Sequence, residues 1–131
     1  ISVQAYFPLS HETDPTDEAI RRGWDAPLDR LRRLSQRHDK PVLFAEIGYD
    51  VSPDAAREPW KTKSRDNPEN RALQRRLMSI ALERIESESF IHGMFWWKWM
   101  PGSRDYGDFA MRHPGVMQTL RDAWSPRRPP A

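Results

Sequence analysis

Hydrophobic positions along the chain repeat one arrangement three times: a short apolar run, a polar loop and a stretch with helical spacing. The apolar runs predict strands over residues 1–7, 42–45 and 90–97. Apolar side chains at steps of three and four residues predict helices through three sets of positions. These sets are Ile20, Trp24, Leu28, Leu31 and Leu34, then Leu73, Leu77, Ile80, Ala81 and Ile85, and finally Val116, Met117, Leu120 and Trp124.

Prolines and capping residues place the helix boundaries. Pro27 lies inside the first helical pattern and predicts two shorter helices, the second beginning at Asp25 with its carboxylate as the cap. Asn67-Pro68-Glu69 predicts the start of a helix of about five turns. Pro114 predicts the start of the last helix.

The order of strand, loop and helix predicts an α/β fold with parallel strands joined by right-handed crossovers. The run from Val42 to Ala45 has no polar alternation, which is typical of a strand covered on both faces. Eight such units with about 250 residues form a closed barrel. We therefore expect residues 1–124 to be the C-terminal part, strands 6–8, of a (β/α)₈ TIM barrel that requires its N-terminal part. Residues 125–131 are expected to form a disordered Pro/Arg-rich tail.

Composition narrows the possible functions. The 131 residues carry 21 basic and 19 acidic side chains, and this balance argues against a nucleic-acid-binding surface. No apolar run approaches the roughly 18 residues of a membrane span. There is no cysteine, and the four histidines lack metal-site spacing, so neither a metal nor another cofactor is predicted. The sequence has no glycine-rich phosphate loop and no G-x-S-x-G motif, so nucleotide binding and serine hydrolase chemistry are not predicted. It leaves secreted and cytoplasmic locations open.

Glu46 is the strongest candidate for chemistry, since it directly follows the buried run Val42–Ala45 at a strand's C-terminal end. Alternation predicts that Val42, Phe44 and Glu46 point toward the barrel axis. A charge in that position is costly unless it is paired or used. One interpretation is a catalytic carboxylate, and the other is a structural one that accepts hydrogen bonds from loop N–H groups or an arginine.

Aromatic side chains follow the other two strands. Tyr6 ends the first strand, where its hydroxyl could bond a carboxylate on the neighbouring strand or simply point to water. Trp96 and Trp97 alternate, so at most one of them faces the axis, and we expect this to be Trp97, with Trp99 in the following loop. Indole faces stack on sugars but also fill cores, and at least one of these tryptophans is expected to be core.

Three segments together resemble the C-terminal third of clan A glycoside hydrolases, most closely family 113, the β-mannanase-type barrels. They are Ala5-Tyr6-Phe7-Pro8-Leu9-Ser10, Pro41-Val42-Leu43-Phe44-Ala45-Glu46-Ile47-Gly48-Tyr49 and Gly93-Met94-Phe95-Trp96-Trp97. The resemblance implies a retaining hydrolase of β-linked polysaccharide, foremost β-1,4-mannan, with Glu46 as nucleophile. It implies substrate contacts from Tyr6, Trp97, Trp99 and Tyr49. The family's acid/base glutamate ends the fourth strand, and no residue here matches it.

Two other functions stay open. One is a barrel that has lost catalysis and binds a glycan or another partner. The other is a small α/β interaction domain whose tryptophans all belong to the core.

Overall fold

The computed structural model describes residues 1–99, 101 and 109–125, and within these ranges the chain forms one parallel sheet with four helices. Strand order in the sheet is β1–β2–β3. The elements are β1 (Ser2–Gln4), α1 (Asp17–Gly23), α2 (Asp25–His38), β2 (Val42–Ile47), α3 (Pro68–Glu86), β3 (Ile91–Trp96) and α4 (Pro114–Trp124). Most of the predicted tail at 125–131 lies outside the described residues.

The helix boundaries match the predictions with one correction. The first helical stretch divides at Trp24, which caps α2 without a side-chain hydrogen bond. The predicted Asp25 cap is therefore wrong, because Asp25 is already the first helical residue and its carboxylate accepts a 2.8 Å hydrogen bond from Arg84 on α3. Asn67 caps α3 as expected, its side chain accepting from the Asn70 N–H.

The helices cover one face of the sheet, and the core lies between them. Val42, Phe44 and Ile47 of β2 are fully buried in this core. The ring of Phe44 stacks on that of Trp24, with 6.3 Å between the ring centroids. On the opposite face, Leu43 and Phe95 are 37% and 63% exposed. This second face is called the open face below.

The side-chain directions predicted along β2 are wrong for two of the three residues. Val42 and Phe44 point to the helices rather than to a barrel axis, yet Glu46 lies on the open face beside Gln4. Phe44 and Ile47, three residues apart, are both buried, which regular alternation does not allow. The pairing of β2 with both neighbouring strands shifts register here, so a bulge reverses the side on which Glu46 lies.

Parallel pairing brings the C-terminal ends of all three strands to the same edge of the sheet. The segments that follow them begin with Ala5 and Tyr6 after β1, Gly48 after β2 and Trp97 after β3. In α/β sheets this edge is where ligands bind.

Candidate active site

The Glu46 carboxylate is the centre of a small polar cluster at this edge. Tyr6 Oη donates a hydrogen bond of 3.1 Å to Glu46 Oε2. Gln4 Nε2 donates one of 3.3 Å to Glu46 Oε1. Each carboxylate oxygen therefore receives one neutral donor, and the two donors fix the plane of the carboxylate and stabilise its charge.

Strand pairing places both donors. Gln4 is in register with Glu46, and the Ala5 N–H donates a 2.7 Å hydrogen bond to the Glu46 carbonyl. Because Gln4 and Tyr6 are two residues apart in an extended segment, their side chains leave the same face. The contact of Tyr6 with Glu46 was one of two alternatives that the sequence left open, and the structure favours it over a hydroxyl in water. The contact of Gln4 was missed. The position of Gln4 two residues before Tyr6 was the available signal.

Tyr6 is held in its protonated form. Burial, followed by the hydrogen bond to Glu46 and the charge of that carboxylate, raises the pKa of Tyr6 well above its ordinary value. Its ring and the Phe109 ring form an edge-to-face pair, with centroids 6.1 Å apart and an interplanar angle of 85°. Tyr6 is therefore a fixed donor at neutral pH.

The tryptophans that follow β3 separate into core and surface. Trp96 is partly buried and packs against the core. Trp97 is 43% exposed. Its backbone N–H donates a 2.7 Å hydrogen bond to the Ile47 carbonyl, so Trp97 lies beside the segment that carries Glu46. The Trp97–Lys98 peptide bond is cis, and the Lys98 ammonium lies 6.0 Å from the centre of the Trp97 ring. Trp99 is 53% exposed.

Tyr49 is placed differently from the expectation. Its side chain is 2% exposed and belongs to the core, where burial raises its pKa. Its carbonyl accepts a 2.9 Å hydrogen bond from the buried Gln74 amide. The enclosed Tyr49 side chain packs against the base of the loop that follows β2. The expected contact of Tyr49 with substrate is therefore wrong.

A buried carboxylate that the sequence analysis did not identify lies next to Tyr49. Asp50 is fully buried and accepts hydrogen bonds from two loops. The sequence offers only a weak signal for Asp50. It follows the strand-end motif, but an aspartate is also common in ordinary loops.

Among residues 1–99, 101 and 109–125, no group of three His, Asp or Glu side chains could hold a metal ion. Within the same ranges, no helix combines the length and the apolar character needed to cross a membrane.

Comparisons with known proteins bear on the family and the fold. A comparison with curated proteins finds no match. Two solved structures of GH113 beta-1,4-mannanase, one of them a complex, superpose with TM-scores of 0.75 and 0.72 at 20% and 22% sequence identity. They match 96% and 95% of this chain, and the chain spans 38% of the length of each. The sequence model of Glycoside Hydrolase Family 113 matches residues 1–110. The fold thus matches part of a GH113 structure, and the chain belongs to glycoside hydrolase family 113.

Proposed function

We propose that this chain carries the nucleophile side of the active site of a retaining β-mannanase, with strands β1–β3 as the last three strands of the barrel. The Tyr6–Glu46 hydrogen bond at the C-terminal ends of parallel strands is the observation that carries the proposal. Active sites of (β/α)₈ enzymes lie at that face. Mannan is the proposed substrate because the similar solved structures are β-1,4-mannanases.

Glu46 is the nucleophile in this proposal. Its carboxylate attacks the anomeric carbon and forms a glycosyl ester, while the bond from that carbon to the leaving oxygen breaks. A second carboxyl group gives its proton to the leaving oxygen. The same group, now a carboxylate, removes a proton from water, which attacks the anomeric carbon and releases Glu46.

Tyr6 and Gln4 prepare Glu46 for the attack. Their two hydrogen bonds hold the carboxylate in one orientation, so the attacking oxygen does not have to be selected from several rotamers. Tyr6 is protonated and donates throughout the pH range of ordinary catalysis, as an ordinary tyrosine would be, and its raised pKa extends this range upward.

Trp97 and Trp99 supply the apolar surface of the sugar site. Both rings are about half exposed, and Trp97 lies next to the Glu46 segment. Sugar C–H faces pack well on indole faces, which gives affinity with little polar selectivity.

The acid/base carboxyl is assigned to the part of a family barrel that this chain does not span. Retaining hydrolysis needs two carboxyl groups about 5–5.5 Å apart. The family resemblance places the second one at the end of the fourth strand. Activity is therefore proposed for the complete barrel, to which this chain contributes one of the two carboxyls.

Replacement of the nucleophile in the complete enzyme tests the proposal. We expect Glu46→Gln to lower mannan turnover by several orders of magnitude with the melting temperature nearly unchanged, because the shape is kept and the attacking charge is lost. Glu86→Gln, an exposed substitution on α3, is the matched control and keeps full turnover. A 2-deoxy-2-fluoro mannoside should label the peptide that contains Glu46, as shown by mass spectrometry.

The alternative function gives a different result in the same experiment. A complete protein that binds mannooligosaccharides without hydrolysing them, and without covalent labelling, would be a glycan-binding relative. Turnover by Glu46→Gln at the wild-type rate would leave Glu46 with a structural role.

A further inference from the structure

Asp50 is a buried titratable group that the proposed chemistry does not use. Its side chain is fully buried, and among the described residues it forms no ion pair. A buried charge of this kind is costly unless hydrogen bonds replace its hydration. Three hydrogen bonds replace the hydration of the Asp50 carboxylate, and the positions of their donors indicate its role.

The donors come from two different loops. Within the loop between β2 and α3, the Lys63 N–H donates to Asp50 Oδ2 at 2.8 Å, and Ser64 Oγ donates to Oδ1 at 2.7 Å. The third donor is the N–H of Phe109, 3.4 Å from Oδ1, in the segment between β3 and α4. One carboxylate thus joins the segments that follow two neighbouring strands.

Phe109 connects this junction to the candidate active site. Its backbone has a φ of 47°, a region that a bulky side chain rarely adopts. Its carbonyl accepts a 3.3 Å hydrogen bond from the Lys98 N–H. The edge-on contact of its ring with Tyr6 completes a path from Asp50 through Phe109 and Tyr6 to Glu46.

The close approach of Gly48 to this path leaves little room for adjustment. A Cβ on Gly48 would lie 3.1 Å from Phe109 Cδ1 and 2.2 Å from the Trp97 carbonyl oxygen. Phe109 therefore lies between Gly48, the Tyr6 ring and the Asp50 carboxylate.

We propose that Asp50 is a positioning residue, which fixes Phe109 and through it the orientation of Tyr6 toward Glu46. The inference rests on the proposed function, because the reaction it serves is the nucleophilic attack by Glu46. Asp50 itself touches neither substrate nor reacting atoms in this proposal.

The test compares Asp50→Asn with Asp54→Asn in the complete enzyme. Asn keeps the shape of Asp50 but replaces one acceptor oxygen by an NH₂ group, so at least one of the three hydrogen bonds is lost. We expect kcat per folded molecule to fall by about tenfold or more, with KM changed less than about twofold, because misalignment affects the attack rather than binding. Asp54 bonds Arg57 and Lys63 side chains on the same loop without contacting Phe109, and Asp54→Asn keeps kcat.

A spectroscopic measurement separates positioning from mere stability. The edge-on contact shifts the ring-proton resonances of Tyr6 in the NMR spectrum, and we expect this shift to decrease in Asp50→Asn and to stay unchanged in Asp54→Asn. Unchanged kcat and an unchanged Tyr6 shift in folded Asp50→Asn would overturn the proposal.

A second variant covers the case in which Asp50→Asn does not fold. Phe109→Leu keeps the backbone N–H that Asp50 accepts from but removes the ring beside Tyr6. We expect it to reproduce the loss of kcat, and a wild-type kcat would overturn the proposal. If the wild-type protein hydrolyses no mannan, the proposed function fails, and the Tyr6 shift still decides whether Asp50 positions Tyr6.

Discussion

At the scale of single residues, the site depends on two neutral donors that face one carboxylate. A lysine or arginine in place of Tyr6 would form an ion pair with Glu46 and weaken its nucleophilicity. Tyr6 and Gln4 orient the carboxylate without neutralising it. The same contact perturbs Tyr6, whose pKa is raised by burial and by Glu46.

This perturbation predicts a pH dependence of stability. Above about pH 10 the unfolded chain loses the Tyr6 proton while the folded chain keeps it, so the free energy of unfolding falls as pH rises from there toward the raised pKa. We expect Tyr6→Phe to make the fall shallower between about pH 9 and 11, measured by urea denaturation. The pKa of Tyr49 is also raised, so Tyr49 contributes to the fall in the free energy of unfolding with the same sign. Tyr49→Phe is expected to remove a separate part of that fall. A wild-type pH dependence in Tyr6→Phe would contradict the assignment.

Neighbouring tryptophans offer a paired test at the same scale. In the complete enzyme, Trp97→Ala is expected to weaken substrate binding by about 1 kcal/mol with a small change in melting temperature, since an exposed stacking surface is lost. Trp96→Ala is expected to lower stability by up to about 3 kcal/mol with substrate affinity kept, since Trp96 packs on the core. Isothermal titration with mannooligosaccharide and thermal denaturation measure the two effects. Reversed phenotypes would place Trp96 at the sugar site.

At the scale of elements, the junction between β2 and β3 controls the site. The bulge in β2 places Glu46 on the open face while Phe44 and Ile47 stay in the core. Directly after it, the Trp97 N–H bonds the Ile47 carbonyl, and the Gly48 backbone lies against the Trp97 carbonyl. The segment that carries Glu46 and the tryptophan segment are therefore fixed to each other by backbone contacts.

Two glycines at this junction give a matched prediction. A Cβ on Gly48 would lie 2.2 Å from a backbone oxygen, whereas one on Gly93 would lie 3.3 Å from the flexible end of Leu43. We expect Gly48→Ala to lower the free energy of unfolding by more than about 3 kcal/mol or to prevent folding, because the backbone has to move. Gly93→Ala is expected to stay within about 1 kcal/mol of wild type. Equal effects of the two substitutions in denaturation experiments would show that the contact at Gly48 is relaxed.

At the scale of the whole molecule, the sheet has unpaired edges and one uncovered face among the described residues. Strands β1 and β3 each pair with β2 on one side. The large side chains Leu43, Phe95, Trp97, Trp99 and Trp124 are more than a third exposed. Edge strands and apolar patches of this kind promote association.

Residues 1–131 expressed by themselves are therefore expected to associate. Sedimentation velocity should show a weight-average mass that rises with concentration, and Phe95→Thr should reduce the rise, because it removes the most exposed of the large side chains. Arg33→Thr, an exposed substitution on α2 away from the sheet face, is the control. A monodisperse monomer with one cooperative thermal transition would contradict this prediction.

The sequence by itself determined the order and approximate bounds of the elements. Helical periodicity, the Asn67-Pro68 start and the Pro114 start are local properties, and the structure confirms each of them. The first strand is shorter than predicted, Ser2–Gln4 instead of 1–7, so Tyr6 lies in the extended segment after it. That Tyr6 and Glu46 lie at one edge followed from the sequence, since parallel strands share one edge, but the hydrogen bond between them was one of two alternatives. Membership of family 113 was likewise indicated by three short segments of the sequence, and the family model confirms it.

Tertiary structure decided which way individual side chains point and what they contact. The bulge in β2, the burial of Tyr49 and the Arg84 partner of Asp25 depend on neighbours that are distant along the chain. The bond from Phe109 to Asp50 joins residues 59 positions apart. Local patterns record propensity and periodicity, whereas a long-range hydrogen bond is determined by how the packed elements bring two loops together, and this is why the Asp50 junction was not predicted.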